Sequence, residues 1–298
     1  MSFPRLPPHQ ESNIGWYEKG DSGGYFPSVA SALEYKRLVD AQDYHNIRRV
    51  CLTALIDQVR RIGSCEVLDG RSCIVIDFGI GDGGGLASLG LNMRRIIGVD
   101  TSDHMIELAR KQFEDSSFEG LVGGTEVLSK LSGPADVIVC LNTLGYLSAE
   151  DERKFWECSS NLLSPGGLLL IMTGNELFDL FALNSGTSAF FDCEFDVSRA
   201  DRLLTMGVAE RFVNARRKNP LNFPVELKKH GFATIATNYC MWHTIPPELW
   251  RLENGGSLRD ARWSVRDFSI HALGLPESEA WRCLFQCSIF ALAAHREG

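Results

Sequence analysis

The segment Asp77-Phe-Gly-Ile-Gly-Asp-Gly-Gly-Gly85 directly follows the apolar run Cys73-Ile-Val-Ile76. Glycines at 79, 81 and 83 let main chain approach a ligand at points where a Cβ would collide. Leu86 and Leu89 then fit the first turns of a helix, whose leading N–H groups face whatever the loop holds. Asp100 closes a second apolar run, Ile96-Ile-Gly-Val99. Its carboxylate stands beside the loop and is suited to accepting both hydroxyls of a ribose. Ser102 is the better N-cap for the helix that follows, which leaves Asp100 to a ligand.

These residues need strands that end side by side. Hydrophobic patterning predicts strands over 73–78, 95–100, Gly120–Gly123, 136–141, 168–173, 232–242 and Cys283–Ala293. Helices are expected from about 84, over 102–114, over 150–162, and over Pro224–His230 with Gly231 as the stop. Before the first strand, Ser28–Val39 and Asp43–Ile62 read as two helices. In the second, Ile47, Val50, Cys51, Ala54, Leu55, Gln58 and Val59 mark the apolar face, and Gly63 ends it. Strand and helix alternate from 73 to 173, which argues a parallel sheet with helices on both faces.

With the elements in this order, Asp77-x-Gly79-x-Gly81-x-Gly83 resembles the first motif of class I S-adenosylmethionine-dependent methyltransferases. Asp100-x-Ser102-x-x-Met105-x-x-x-Ala109 resembles that family's second strand end and following helix. Leu163-Ser-Pro-Gly-Gly167 before Leu168-Leu-Leu-Ile-Met172 resembles its turn into the fifth strand. The likeness spans roughly residues 70–175 by motif and 220–295 by pattern. It implies a Rossmann-like, doubly wound, seven-stranded α/β sheet with strand seven antiparallel between strands five and six. It also implies S-adenosyl-L-methionine as cofactor, held by Asp77, Gly79, Gly81, Gly83, Asp100, Thr101 and Met105, with Asp77 near the methionine end. In that family the turn after strand three often carries an acid for the adenine amino group. Here Thr125 stands in that place with Glu126 next to it, so the contact falls to one of these or to a backbone group. A second pattern coexists with the first: Gly79-x-Gly81-x-x-Gly84 with Asp100 also satisfies the dinucleotide fingerprint of an NAD(P)-dependent oxidoreductase. Asp77, two residues before the first glycine, and a motif that starts after some seventy residues favour the methyltransferase. A protein that binds the cofactor without catalysis is the remaining alternative.

In parallel sheets ligands lie at the carboxyl ends of the strands. By that rule Asn142, after strand four, stands beside the methionine moiety, with Tyr146 four residues on. Asn175 and Glu176, after strand five, and His243, after strand six, are the candidates for acceptor contact or proton removal. The sulfonium is already an activated methyl donor, so alignment of an O, N, C or S nucleophile is the main demand on the protein.

The chain has 298 residues, a net charge of -8 and 44% hydrophobic residues. It lacks the broad basic surface of a nucleic-acid binder. Its densest basic cluster, Arg211 to Lys218, reads as a solvated helix face. Nine cysteines show no metal-ligand spacing, and no apolar run approaches the ~20 residues that cross a bilayer. No metal, no nucleic acid and no membrane partner is expected, and the location is expected to be cytoplasmic. Four parts are expected: an N-terminal segment and helical lid (1–63), the cofactor-binding core (64–175), a helical cap insertion (176–219), and the rest of the sheet (220–298) with a substrate-side insertion at 243–280. Tyr35, Tyr44 and His45 lie on the expected lid. The insertions are rich in aromatics, which suits a cap over a small methyl acceptor. Asn175-Glu-Leu-Phe-Asp-Leu-Phe181 and Asn219-Pro-Leu-Asn-Phe-Pro224 resemble segments of bacterial methyltransferases that act on saccharides or secondary metabolites.

Overall fold

The computed structural model describes residues 33, 44–63, 72–114, 116–178, 216–242, 278 and 280–297. His243, Tyr35, the helix expected at Ser28–Val39, and most of 176–219 and 243–280 lie outside the described residues; Tyr44 and His45 lie on a described helix, but their side chains do not. The elements in chain order are α1 (Tyr44–Ile62), β1 (Cys73–Phe78), α2 (Gly84–Ala87), β2 (Met93–Asp100), α3 (Asp103–Gln112), β3 (Phe118–Val122), α4 (Thr125–Leu128), β4 (Ala135–Leu141), α5 (Ala149–Leu162), β5 (Leu163–Gly174), α6 (Phe223–Lys229), β6 (Phe232–Trp242), α7 (Arg282–Gln286) and β7 (Cys287–Arg296).

The strands form one sheet in the order β3-β2-β1-β4-β5-β7-β6. The pairs from β3 to β5 are parallel, and β7 runs antiparallel to both β5 and β6. The central strands are continuous apolar runs because both of their faces are covered. Alternate residues feed two cores. Val75, Val137, Val139, Leu168, Leu170 and Met172 pack with Cys51, Leu52, Leu55, Ile56 and Val59 of α1. Ile76, Ile138, Cys140, Leu169 and Ile171 pack on the other side with Phe155 and Trp156 of α5. This period of two decides which side chains of β1 meet α1.

The buried stripe of α1 differs from the expected one. Arg48, Cys51, Leu52, Leu55, Ile56 and Val59 are buried, whereas Val50, Ala54 and Gln58 are half-buried. The helix lies on β6 and β7, and Asn238 of β6 donates to the Cys51 carbonyl at 3.2 Å. Gly63 ends α1 with φ +70° and its N–H on the Arg60 carbonyl. Ser102 caps α3 as expected, accepting from the Met105 N–H.

Two strand starts move the most. β5 begins at Leu163, and its register against β4 slips between Ala135 and Val137, which absorbs Ser164–Gly167. β7 begins at Cys287, four residues after the expected Cys283, because Arg282–Gln286 close a helical turn first. The Arg211–Lys218 reading also changes where it is described. Lys218 pairs in extended conformation with Asn175. Its ammonium and the Arg216 guanidinium reach the buried Glu152 of α5 at 2.5 and 2.7 Å. These cations anchor a chain segment to the strand tips rather than forming a solvated helix face.

Candidate active site

The site is built where β1, β2 and β4 end. Asp77 is the last odd-numbered residue of β1 and so shares the face of Val75, toward α1. It is 2% exposed. Its Oδ1 meets no hydrogen-bond partner among the described residues. Burial pushes its pKa up to about 8; the Arg48 guanidinium opposes the rise and the Asp100 carboxylate adds to it. A buried carboxylate with an unanswered oxygen is costly to the empty protein and well prepared for a cationic ligand group.

The three glycines of the motif have three different jobs. A Cβ on Gly79 would fall 2.0 Å from Thr143 Oγ1, and one on Gly83 would fall 2.8 Å from the Phe113 ring. Both make room for neighbouring protein. Gly81, with φ +58°, has nothing within 4 Å of the Cβ position among the described residues. Among the described residues, its open side is the one of the three with room for a ligand.

Asp100 holds this loop in place. Oδ2 accepts the Gly81 N–H and Oδ1 accepts the Ser102 N–H, both at 2.9 Å. Burial raises its pKa, while the bonds from Ser102, Gly81 and Thr101 pull it down. Asn142, at the end of β4, has φ +57° and sends its N–H to the Met172 carbonyl at 2.7 Å. A left-handed non-glycine residue at a strand tip is a conformation that functional sites concentrate. The structure therefore brings Asp77, Gly81, Asp100 and Asn142 to one edge of the sheet.

Other expected residues serve the frame. Met105 is fully buried in α3, and Thr101 is half-buried beside Asp100. Thr125 is buried and its hydroxyl bonds Asp151 at 3.2 Å, away from any ligand role for that proton. Glu126 is exposed and folds back so that Oε1 accepts the Gly124 N–H at 2.8 Å. Asn175, expected to meet the acceptor, is 0% exposed. Its Nδ2 donates to the Leu284 and Cys287 carbonyls, both at 2.7 Å, and its Oδ1 accepts the Leu177 N–H at 3.0 Å. Both amide protons are spent on joining β5 to the α7–β7 junction, so the geometry makes Asn175 a staple and fixes where β7 starts. Glu176 is half-buried at the rim, its N–H on the Lys218 carbonyl.

One residue of this neighbourhood was not anticipated. Arg48 of α1 is 7% exposed, and its Nη1 lies 3.2 Å from the Cβ position of Gly85. A signal existed in the spacing: Arg48, Cys51, Leu52 and Leu55 share one helical face.

Residues 75–167 match the methyltransferase-domain family. With the β5-β7-β6 order and the site above, that match decides the assignment. Residues 75–167 are a methyltransferase domain, of the class I S-adenosylmethionine-dependent kind. Its cofactor is S-adenosylmethionine, and the oxidoreductase reading of the same glycines is set aside. Among solved structures, this methyltransferase is similar to a chain from the complex between the Haloferax volcanii Trm112 methyltransferase activator and a methyltransferase. That match has 15% identity, covers 91% of this chain and 97% of the other, and has a TM-score of 0.51. It is also similar to the magnesium protoporphyrin IX methyltransferase ChlM of Synechocystis PCC 6803 with bound SAH, at 14% identity, 88% and 93% coverage and a TM-score of 0.47. A third is the DhpI-SAH complex, at 14% identity, 97% coverage of each chain and a TM-score of 0.49. At these identities the likeness is one of fold. No curated protein sequence matches the chain. Among the described residues of the methyltransferase, no helix is long and apolar enough to cross a membrane.

The raised pKa of Asp77 makes a prediction about the empty enzyme. Between its unfolded value near 4 and its folded value of about 8, the native state binds more protons than the unfolded one. Stability contributed by this group is therefore full at low pH and is lost as pH rises through that window. Asp77→Asn removes the titration. Its apo Tm at pH 8 is expected to exceed that of the wild type by a few degrees, with a flatter Tm–pH profile and weakened cofactor binding. Scanning fluorimetry across pH checks this; parallel profiles for the two proteins contradict it.

Proposed function

We propose that the enzyme transfers the methyl group to an O or N atom of a small molecule, such as a saccharide or a secondary metabolite. The carrying observation is where the chain leaves and rejoins the sheet. It departs after Phe178, beyond the β5 tip, and is back at Arg216, whose N–H meets the Gly145 carbonyl, with Lys218 then pairing with Gly174 and Asn175. It departs again after Trp242 at the end of β6 and is back by Ala280, ahead of the start of β7. All four points flank the carboxyl edge that carries Asp77, Gly81 and Asp100. Two insertions rooted there, with an aromatic-rich composition, suit an enclosed acceptor better than an open macromolecular surface. The net charge of -8 supports the same reading against nucleic acid. The described cysteines form no disulfide, which supports a reducing, cytoplasmic setting.

In this reading Asp77 receives the amino group at the methionine end, Asp100 the ribose hydroxyls, Gly81 gives room to the adenosyl moiety, and Asn142 shapes the floor beside the reacting carbon. The sulfonium of the bound cofactor supplies the activated methyl. Glu176, on the β5 rim, and His243, four residues beyond Tyr239 of β6, are the proposed acceptor-side groups; each offers a place for the proton that an O or N nucleophile sheds. The four-part division of the chain, with 1–63 as a lid, belongs to this proposal.

The test uses methyl-tritiated cofactor and the purified protein with a cell extract split by size. Label in the low-mass fraction, dependent on the enzyme, is the expected result. Label confined to the macromolecular fraction overturns the small acceptor.

A further inference from the structure

Asp77 poses an electrostatic problem. A carboxylate in that position must be charged to hold an ammonium group, yet burial favours its neutral form. Among the described residues, the titratable groups within its electrostatic reach come from three elements. Arg48 of α1 lowers its proton affinity and Asp100 of β2 raises it. The third, the Cys140 thiol of β4, is held protonated by its own burial and carries no charge. Arg48 is thus the counter-charge, and it comes from the N-terminal helix rather than from the motif itself.

The helix is not loosely placed there. Cys51, Leu52 and Leu55, the next residues along the same face, are 0% exposed, and Asn238 ties the Cys51 carbonyl to β6. The guanidinium lies over the start of α2, with Nη1 at 3.2 Å and Cζ at 3.6 Å from the Cβ position of Gly85. A side chain on Gly85 would push it away from the loop.

We propose that Arg48 is a positioning residue for the cofactor: from α1 it favours the ionised form of the Asp77 carboxylate inside the core, the form that receives the ammonium at the methionine end. The proposal rests on the reading that Asp77 receives that ammonium. It makes α1 part of the cofactor site through charge, so the affinity for the amino-acid half of the cofactor depends on a residue outside the glycine motif.

The test is calorimetric binding of S-adenosylhomocysteine and of 5′-methylthioadenosine, from about pH 6 to pH 9, to wild type, Arg48→Gln and Arg48→Lys. The first ligand carries the amino-acid end and the second lacks it. For the wild type, S-adenosylhomocysteine affinity rises with pH as Asp77 ionises and falls again as the ligand's own amino group loses its proton. The Arg48 charge opposes the effect of burial on Asp77, so its loss moves the rising limb to higher pH, by about one unit. At pH 7 that weakens Arg48→Gln about tenfold. Arg48→Lys retains the wild-type limb, and methylthioadenosine binds all three proteins alike. An equal loss for both ligands makes Arg48 a packing residue and overturns the proposal. A loss for S-adenosylhomocysteine that is constant at every pH also overturns it, because the effect then does not run through Asp77. Failure of the wild type to bind either ligand is a different result and removes the cofactor reading itself.

Discussion

Gly79→Ala is expected to destabilise the fold by roughly 2–5 kcal/mol, lowering Tm by roughly 5–15 °C. Two costs add. The residue has φ +76°, where an L side chain is strained. The new methyl would sit 2.0 Å from Thr143 Oγ1, 2.5 Å from its Cγ2 and 2.7 Å from its Cβ. Thr143 is β-branched and cannot swing clear, and its hydroxyl lies between the Gly79 and Leu141 carbonyls. Thr143→Gly in the same chain removes all three contacts and leaves only the backbone strain, so a double-mutant cycle should recover about half of the loss. Gly81→Ala is the contrast. No described residue lies within 4 Å of its Cβ position, so the cost to the apo fold is confined to strain of about 1–2 kcal/mol. Its effect falls on the ligand instead, an expected weakening of S-adenosylhomocysteine by about tenfold or more as the methyl enters the adenosyl space. Thermal melts and calorimetry on the two variants separate the roles. Equal Tm values for Gly79→Ala and Gly81→Ala would show that Thr143 does not constrain the loop.

That division of labour within one motif was not legible in the sequence. Glycine type and spacing announce a tight loop after a strand, and the apolar runs announce the strands themselves; both follow from local chemistry. Which neighbour each glycine admits depends on Thr143 and Phe113, distant in sequence from the loop. Asn175 makes the same point more strongly. A polar residue just past a strand's carboxyl end reads as a ligand group, but its amide partners stand 109 and 112 residues further on. The late start of β7 has the same origin, since an apolar run from Cys283 gives no hint that Asn175 will capture the carbonyls of Leu284 and Cys287. Arg48 failed for the opposite reason. A charge on a helix is ordinarily exposed. Only the placement of Cys51, Leu52 and Leu55 along its face, together with an acid at the strand it covers, marks this one as interior. The antiparallel β7, by contrast, came from family likeness and holds in full.

Asp100→Ala is the variant expected to weaken cofactor most. In the empty enzyme the carboxylate already accepts two backbone N–H groups, from Gly81 and Ser102, at 2.9 Å. In the proposed reading, a ribose diol takes the remaining lone pairs. Loss of two hydrogen bonds to a charged group amounts to about 3–4 kcal/mol, or roughly 100–1000-fold in affinity, before any loosening of the loop is counted. Asparagine does not rescue it. An amide presents one acceptor atom where two are needed, and its NH2 would face the N–H of Gly81 or Ser102. The loss should extend to methylthioadenosine, which keeps the ribose, whereas Arg48→Gln spares that ligand. The two variants therefore dissect the cofactor into its nucleoside and amino-acid halves. Their pH behaviour should also diverge. Asp100 raises the proton affinity of Asp77, so its removal lets Asp77 ionise at lower pH, opposite to the effect of removing Arg48. Residual S-adenosylhomocysteine binding by Asp100→Ala, measured at high ligand concentration, should show its rising limb displaced downward in pH. Affinity within about threefold of wild type would instead leave Asp100 as a clamp on the loop and nothing more.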